Sequence, residues 1–214
     1  MVSTPSPGST GLPVCRPAAS PRSGFSLLEL LITVALMLVM WVVFYGHGSR
    51  SNQQRQLKAC QKNLQNIYLA LEIYANEHQG RFPALAGART SEEVLAVLVP
   101  KYTSAADSFI CPGSKDGKLA SGEPLAGRRI SYAYFMGRQL AETTNLLASD
   151  RWADTKPKPR GAQVFSVNGR APGSNHHQYG GNFLFVDGHQ ETQPVSASED
   201  LAWPPEVVLL NPRD

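Results

Sequence analysis

FSLLELLITVALMLVMWVVFY, Phe25 to Tyr45, is the stretch on which the fold turns. It is a 21-residue apolar run, long enough at helical rise to cross the ~30 Å hydrocarbon layer of a bilayer. One residue does not belong. Glu29 places a carboxylate where insertion near the bilayer centre costs roughly 2.5 to 3.5 kcal/mol, so it needs a partner. In a plain signal anchor, Glu29 is close enough to the helix start to reach headgroups or to use the positive end of the helix dipole. If instead the chain is cut after Gly24, the new α-amino group of Phe25 is a cation. The acid of one such helix can then meet the amine of a neighbour in a low-dielectric setting, where a paired charge is tolerated and an unpaired one is not.

Arg22-Ser23-Gly24 followed by Phe25-Ser26-Leu27-Leu28-Glu29-Leu30 resembles the cleavage and methylation signal of type IV pilins and type II secretion pseudopilins. The basic residue that commonly precedes the glycine is displaced by one, to Arg22. The resemblance implies that a prepilin peptidase cuts after Gly24 and methylates Phe25. It also implies that Glu29 is the family acid that sets assembly, and that the retained helix becomes a filament core. The implied partners are that peptidase, other pilin or pseudopilin subunits, an inner-membrane assembly platform and the lipid bilayer.

Before this signal, residues 1–24 are rich in Pro, Ser and Gly, carry two arginines and no acid, and read as a cytoplasmic leader under the positive-inside rule. A secretory signal peptide would have its small-residue cleavage site after the apolar core, not before it. The expected location is therefore a single-pass bacterial inner-membrane protein with its head periplasmic or otherwise extracytoplasmic, passing into a filament. Set aside the leader and 18 basic side chains stand against 17 acidic ones. No basic face points to a nucleic-acid partner.

Beyond the membrane segment (25–45), the helix is expected to continue through residues 46–80. Leu57, Cys60, Leu64, Ile67, Leu71 and Tyr74 recur at steps of three or four, an apolar stripe on a polar helix. Gly80 and Pro83 close it. Residues 81–214 then form the head. Thr90 and Glu93 make a capping box for a short second helix ending at Pro100. Strands are expected at Ser131–Phe135, Leu146–Ser149, Val164–Val167, Asn182–Val186 and His189–Gln193. Asp187-Gly188 reads as a type I′ turn in a C-terminal hairpin. Leu184 and Val186 fall on one side of their strand and Phe183 and Phe185 on the other, so both faces are expected to be covered. The class is α+β and pilin-like: a long N-terminal helix packed on a small antiparallel sheet.

His177, then nine residues, then Asp187-Gly188 is similar to the H-x9-DG motif of a bacterial group of prepilin-type proteins. Phe109-Ile110-Cys111-Pro112 and Ile130-Ser131-Tyr132-Ala133-Tyr134 resemble segments of the same group. Two readings of the motif stand side by side. In one, Asp187 and Gly188 make a turn, Gly180 and Gly181 allow tight backbone, and His177 bonds a loop. In the other, His176, His177, Asp187 and His189 surround a cation, with Ca²⁺ suited to loop oxygens and Zn²⁺ to paired imidazoles, although neither has complete ligand spacing. Asp150 either joins such a site or caps a loop. Cys60 and Cys111 either form a disulfide, which an extracytoplasmic compartment permits, or remain two buried thiols.

Cys111-Pro112-Gly113-Ser114 lacks the second cysteine of a redox pair, residues 113–118 lack P-loop spacing, and no G-x-S-x-G or H-E-x-x-H occurs. No enzymatic activity is expected. The function expected is a structural subunit of a type II secretion-like pseudopilus. The alternatives are a subunit of a type IV pilus for adhesion, DNA uptake or motility, and an uncleaved membrane-tethered binding or hydrolytic domain.

Overall fold

The computed structural model describes residues 24–168 and 175–213, and the side chains of all of these except 45–50. The leader, apart from Gly24, lies outside the described residues, as does Cys15. One helix, α1, runs Leu27–Glu77. The chain divides into two compact units at Gly46/His47, inside this helix. The first unit contributes Leu27–Phe44, long and apolar enough to cross a membrane by length and composition, with none of its side chains buried.

The second unit holds α1 from residue 47, a five-residue helix α2 (Ser91–Leu95) and five strands: β1 Tyr132–Met136, β2 Leu146–Asp150, β3 Gly181–Phe185, β4 Gln190–Gln193 and β5 Val208–Leu210. The sheet order is β4-β3-β2-β1-β5, and every neighbouring pair is antiparallel. The class is α+β.

The periodicities explain how the layers meet. The α1 stripe buries Cys60, Leu64, Ile67 and Leu71 completely or nearly so, together with Tyr132 and Tyr134 of β1, Leu184 of β3 and Leu210 of β5. The alternate residues Ala133, Phe135, Phe183 and Leu209 turn to the opposite face. There they pack with Trp152, Val164 and Phe165 from the loops. Period 2 in the strands thus divides two cores, and the helix covers one of them. Trp152 stacks on Phe183 with centroids 5.8 Å apart and meets Phe135 edge-on.

Four local expectations are corrected. The left-handed residue that ends α1 is Gln79 (φ 58), ahead of Gly80 (φ 77), whose N–H bonds back to Ala75 O at 2.8 Å in a Schellman-type closure. Thr90 is the N-cap of α2, but its side chain makes no capping bond. Glu93 reaches instead the N–H of Arg89, at 2.9 Å, so only one half of a box-like arrangement forms. Residues 164–167 are not a strand: Gln163 makes an isolated bridge to Ser196, and Val164 and Phe165 are anchored through Val195 O. β5 was not anticipated, because three residues between prolines carry too little period to read.

The hairpin turn is the fourth. Gly188 N–H donates to Phe185 O, Phe185 N–H donates to His189 O, and Asp187 keeps a negative φ while Gly188 takes +87. A type I′ turn needs positive φ at both central positions. This is a three-residue loop, a type I turn closed by a left-handed glycine.

Candidate functional site

Gly24 and Phe25 precede α1, and Phe25 is exposed. Glu29 lies in the first turn of the helix, exposed among exposed Leu28, Leu30 and Leu31. Among the described residues it has no ion-pair partner.

Between His177 and Gly188 the contacts are those of tightly packed backbone and a turn. Gly180 sits at φ 80, ψ −143, where only glycine is comfortable. A Cβ there would stand 1.9 Å from Gln193 O. A Cβ on Gly181 would meet the Phe165 ring at 2.6 Å, and one on Gly188 the Tyr68 ring at 2.7 Å. Asp187 accepts from the N–H of His189 at 3.0 Å and pairs with its ring. These bonds hold the Asp187 carboxyl below its ordinary range, the His189 backbone N–H first and its side chain second. His177 opens a one-turn 3-10 helix with a left-handed backbone, φ 53.

His176, His177, Asp187 and His189 do not converge. Asp187 and His189 pair at the exposed hairpin turn, whereas His176 is buried elsewhere, so the four-residue cation site is withdrawn. What the fold assembles instead is Cys60 from α1, Cys111 from the loop before β1, Asp150 at the end of β2 and His176 before β3. Their ligand atoms all lie within 4.8 Å of one another. All four residues are buried, none more than 1 % exposed.

Cys60 and Cys111 form a disulfide with Cα atoms 5.4 Å apart. His176 Nε2 lies 3.3 Å from Cys111 Sγ and 3.4 Å from Asp150 Oδ2. The carboxylate is held in place from the other side. Asn182 donates its backbone N–H (2.7 Å) and its Nδ2 (3.0 Å) to Oδ2, and Asn175 Nδ2 donates to Oδ1 at 2.8 Å. Asn182 also reaches back to Leu57 O at 3.0 Å, tying β3 to α1. Tyr132, the register partner of Asp150, is fully buried beside it. Burial first, and the charge of Asp150 second, push its hydroxyl well above the usual phenol range.

Gly113 completes the packing: a Cβ there would lie 2.5 Å from Asn175 O and 2.9 Å from His176 Nδ1. That Nδ1 is buried and has no hydrogen-bond partner among the described residues. The contacts of this group differ from those of a nucleophile chain. In such a chain the base meets the nucleophile with one ring nitrogen and its orienting acid with the other. Here both contacts fall on Nε2, and the sulfur is committed to Cys60.

The sequence offers Cys60 and Cys111 as one possible pair, and Asp150 either as a loop cap or as a member of a cation site with His176, but it does not bring the two pairs together. No local signal joins them. No family model, curated protein or solved structure matches the chain.

Proposed function

We propose that the chain is a prepilin-type structural subunit, cut after Gly24 and assembled through its N-terminal helix into a secretion-type pseudopilus. The observation that supports this most directly is a lone acid, Glu29, in the apolar and wholly exposed stretch Leu27–Phe44, four residues after the amine that cleavage would free. Lipid can cover Leu27–Phe44 in a single chain, but its acyl chains offer Glu29 no counter-charge. A neighbouring subunit's Phe25 amine does, and the pairing would fix the axial stagger of the helices. Driving force comes from exchanging lipid contacts for helix contacts, and chemistry on a substrate is not required.

The head unit fits that role. Its sheet and loops enclose two cores without help from another chain, and the disulfide clamps the loop at Cys111 to the helix that would carry load. Partners on this reading are the prepilin peptidase, like subunits, an inner-membrane platform and the bilayer. The head would be extracytoplasmic. A surface pilus would use the same helix chemistry.

Two measurements test the proposal. Mass spectrometry of the mature N-terminus is expected to find methylated Phe25, whereas an intact Met1 on the membrane-bound protein means a tether and ends the proposal. Glu29→Gln, compared with wild type in cells where fibres form, is expected to give no ordered fibres. Normal fibres from that variant would refute the assembly mechanism.

A further inference from the structure

The Cys60, Cys111, Asp150 and His176 cluster has features a structural disulfide does not need. A disulfide requires neither an imidazole at 3.3 Å nor a buried carboxylate oriented by three N–H groups. Asp150 has one ion-pair partner among the described residues, His176, and that partner is charged only when protonated. His176 Nδ1 is left without a hydrogen bond in a fully enclosed place. The pocket therefore holds negative charge and soft donors with no fixed cation.

We propose that the thiol form of the chain, the form in which it is synthesised, binds a tetrahedral Zn²⁺-type ion through Cys60 Sγ, Cys111 Sγ, His176 Nε2 and Asp150 Oδ2. Two thiolates, one imidazole and one carboxylate are a donor set for this ion, and four-coordinate closed sites are its structural use. Bond lengths of about 2.0 to 2.3 Å give tetrahedral edges of about 3.3 to 3.8 Å. The edges from Nε2 to Cys111 Sγ and to Asp150 Oδ2 already measure 3.3 and 3.4 Å; the two sulfurs must separate from bonding distance, and the remaining ligand atoms lie within 4.8 Å of one another. Asn175 and Asn182 would then act as the hydrogen-bonding shell that orients a ligating carboxylate.

Uptake breaks two S–H bonds, releases two protons and forms two S–metal bonds, with no change of oxidation state. A disulfide oxidant then accepts two electrons from the thiolates and, taking up two protons from solvent, becomes two thiols. The Cys60–Cys111 bond forms and the ion is released. The ion would tie four segments together and the disulfide two of the same four, and the proposal does not depend on whether the chain assembles.

The test uses the full chain in detergent with Cys15→Ser to remove the third thiol, reduced with a phosphine and handled without oxygen. Co²⁺ titration is expected to give a thiolate-to-metal charge-transfer band that saturates at one ion per chain, is bleached by one equivalent of Zn²⁺, and is absent from the disulfide form. His176→Gln is expected to weaken Zn²⁺ binding on the order of 100-fold, while His189→Gln leaves it unchanged. X-ray absorption of the Zn²⁺-loaded Cys15→Ser protein reads the same ligands without the His176 variant: two sulfur and two nitrogen or oxygen neighbours with an imidazole outer shell. No charge-transfer band from a reduced, natively folded protein, a shell without both sulfur and imidazole, or unchanged affinity in His176→Gln would each overturn the proposal.

Discussion

Replacing Gly180 by alanine separates two costs that are usually confounded. The first is conformational: φ 80 with ψ −143 lies outside the regions open to L-residues, at roughly 1 to 3 kcal/mol. The second is steric. The new Cβ would stand 1.9 Å from Gln193 O, a backbone atom of β4 that cannot swing aside as a side chain does. Relief requires β4 to move off β3 at the Gly181–Gln193 pair, at about 1 kcal/mol for each ladder hydrogen bond broken. With two such bonds lost the sum is about 3 to 5 kcal/mol. Gly161→Ala is the control: its φ is similar, 82, but nothing lies within 4 Å of the Cβ, so only the strain of about 1 to 2 kcal/mol applies. Urea denaturation of the compact unit 47–214 should then show Gly180→Ala unfolding earlier than Gly161→Ala by about 1 M, for a slope near 2 kcal/mol per M. Equal midpoints for the two variants would show that the close approach of β4, and with it the structural account of the motif, is mistaken.

Reducing the Cys60–Cys111 bond in metal-free protein opens a loop spanning 51 positions, and the chain-entropy estimate for that loop is about 4 kcal/mol, read as a fall in the urea midpoint; no change on reduction would mean that the bond does not constrain the unfolded chain. Leu71→Ala empties a fully buried site under the sheet and is expected to cost about 2 to 5 kcal/mol, while Leu69→Ala, half exposed on the same helix, should stay within about 0.5 kcal/mol; a reversed order would mean that the helix packs by another face. The Asp187 carboxyl is depressed by its bonds to His189, so whatever stability it supplies is complete above its ordinary value of 3.8 and is lost as pH falls through the lower folded value. Because the group is exposed, the effect is small. Asp187→Asn is expected to flatten the stability profile only below about pH 4, and a change in slope near pH 7 would assign that slope to another group.

Much of the molecule was legible because its signals are local. A membrane-length apolar run with a single acid at Glu29, a stripe from Leu57 to Tyr74 at helical spacing, and the two-sided alternation of Phe183, Leu184, Phe185 and Val186 each reside in consecutive residues, and each corresponds to an element of the fold. Where the local signal was thin, the reading slipped. Residues 164–167 had strand-like composition but no free ladder to join, and Val208–Leu210 became a strand only because the edge of β1 was open beside it.

The cluster of Cys60, Cys111, Asp150 and His176 belongs to the tertiary structure alone. Asp150 meets Asn182 because of the β2–β3 register that follows the shift between Leu146 and Ala148, and Cys60 meets Cys111 and His176 because the helix stripe docks on that face of the sheet. Side-chain period tells which residues turn inward. Which inward residues from distant segments touch is set by strand order, register and the way the helix seats. Those are fixed only when the whole core closes, so the four residues carry no common mark in the chain.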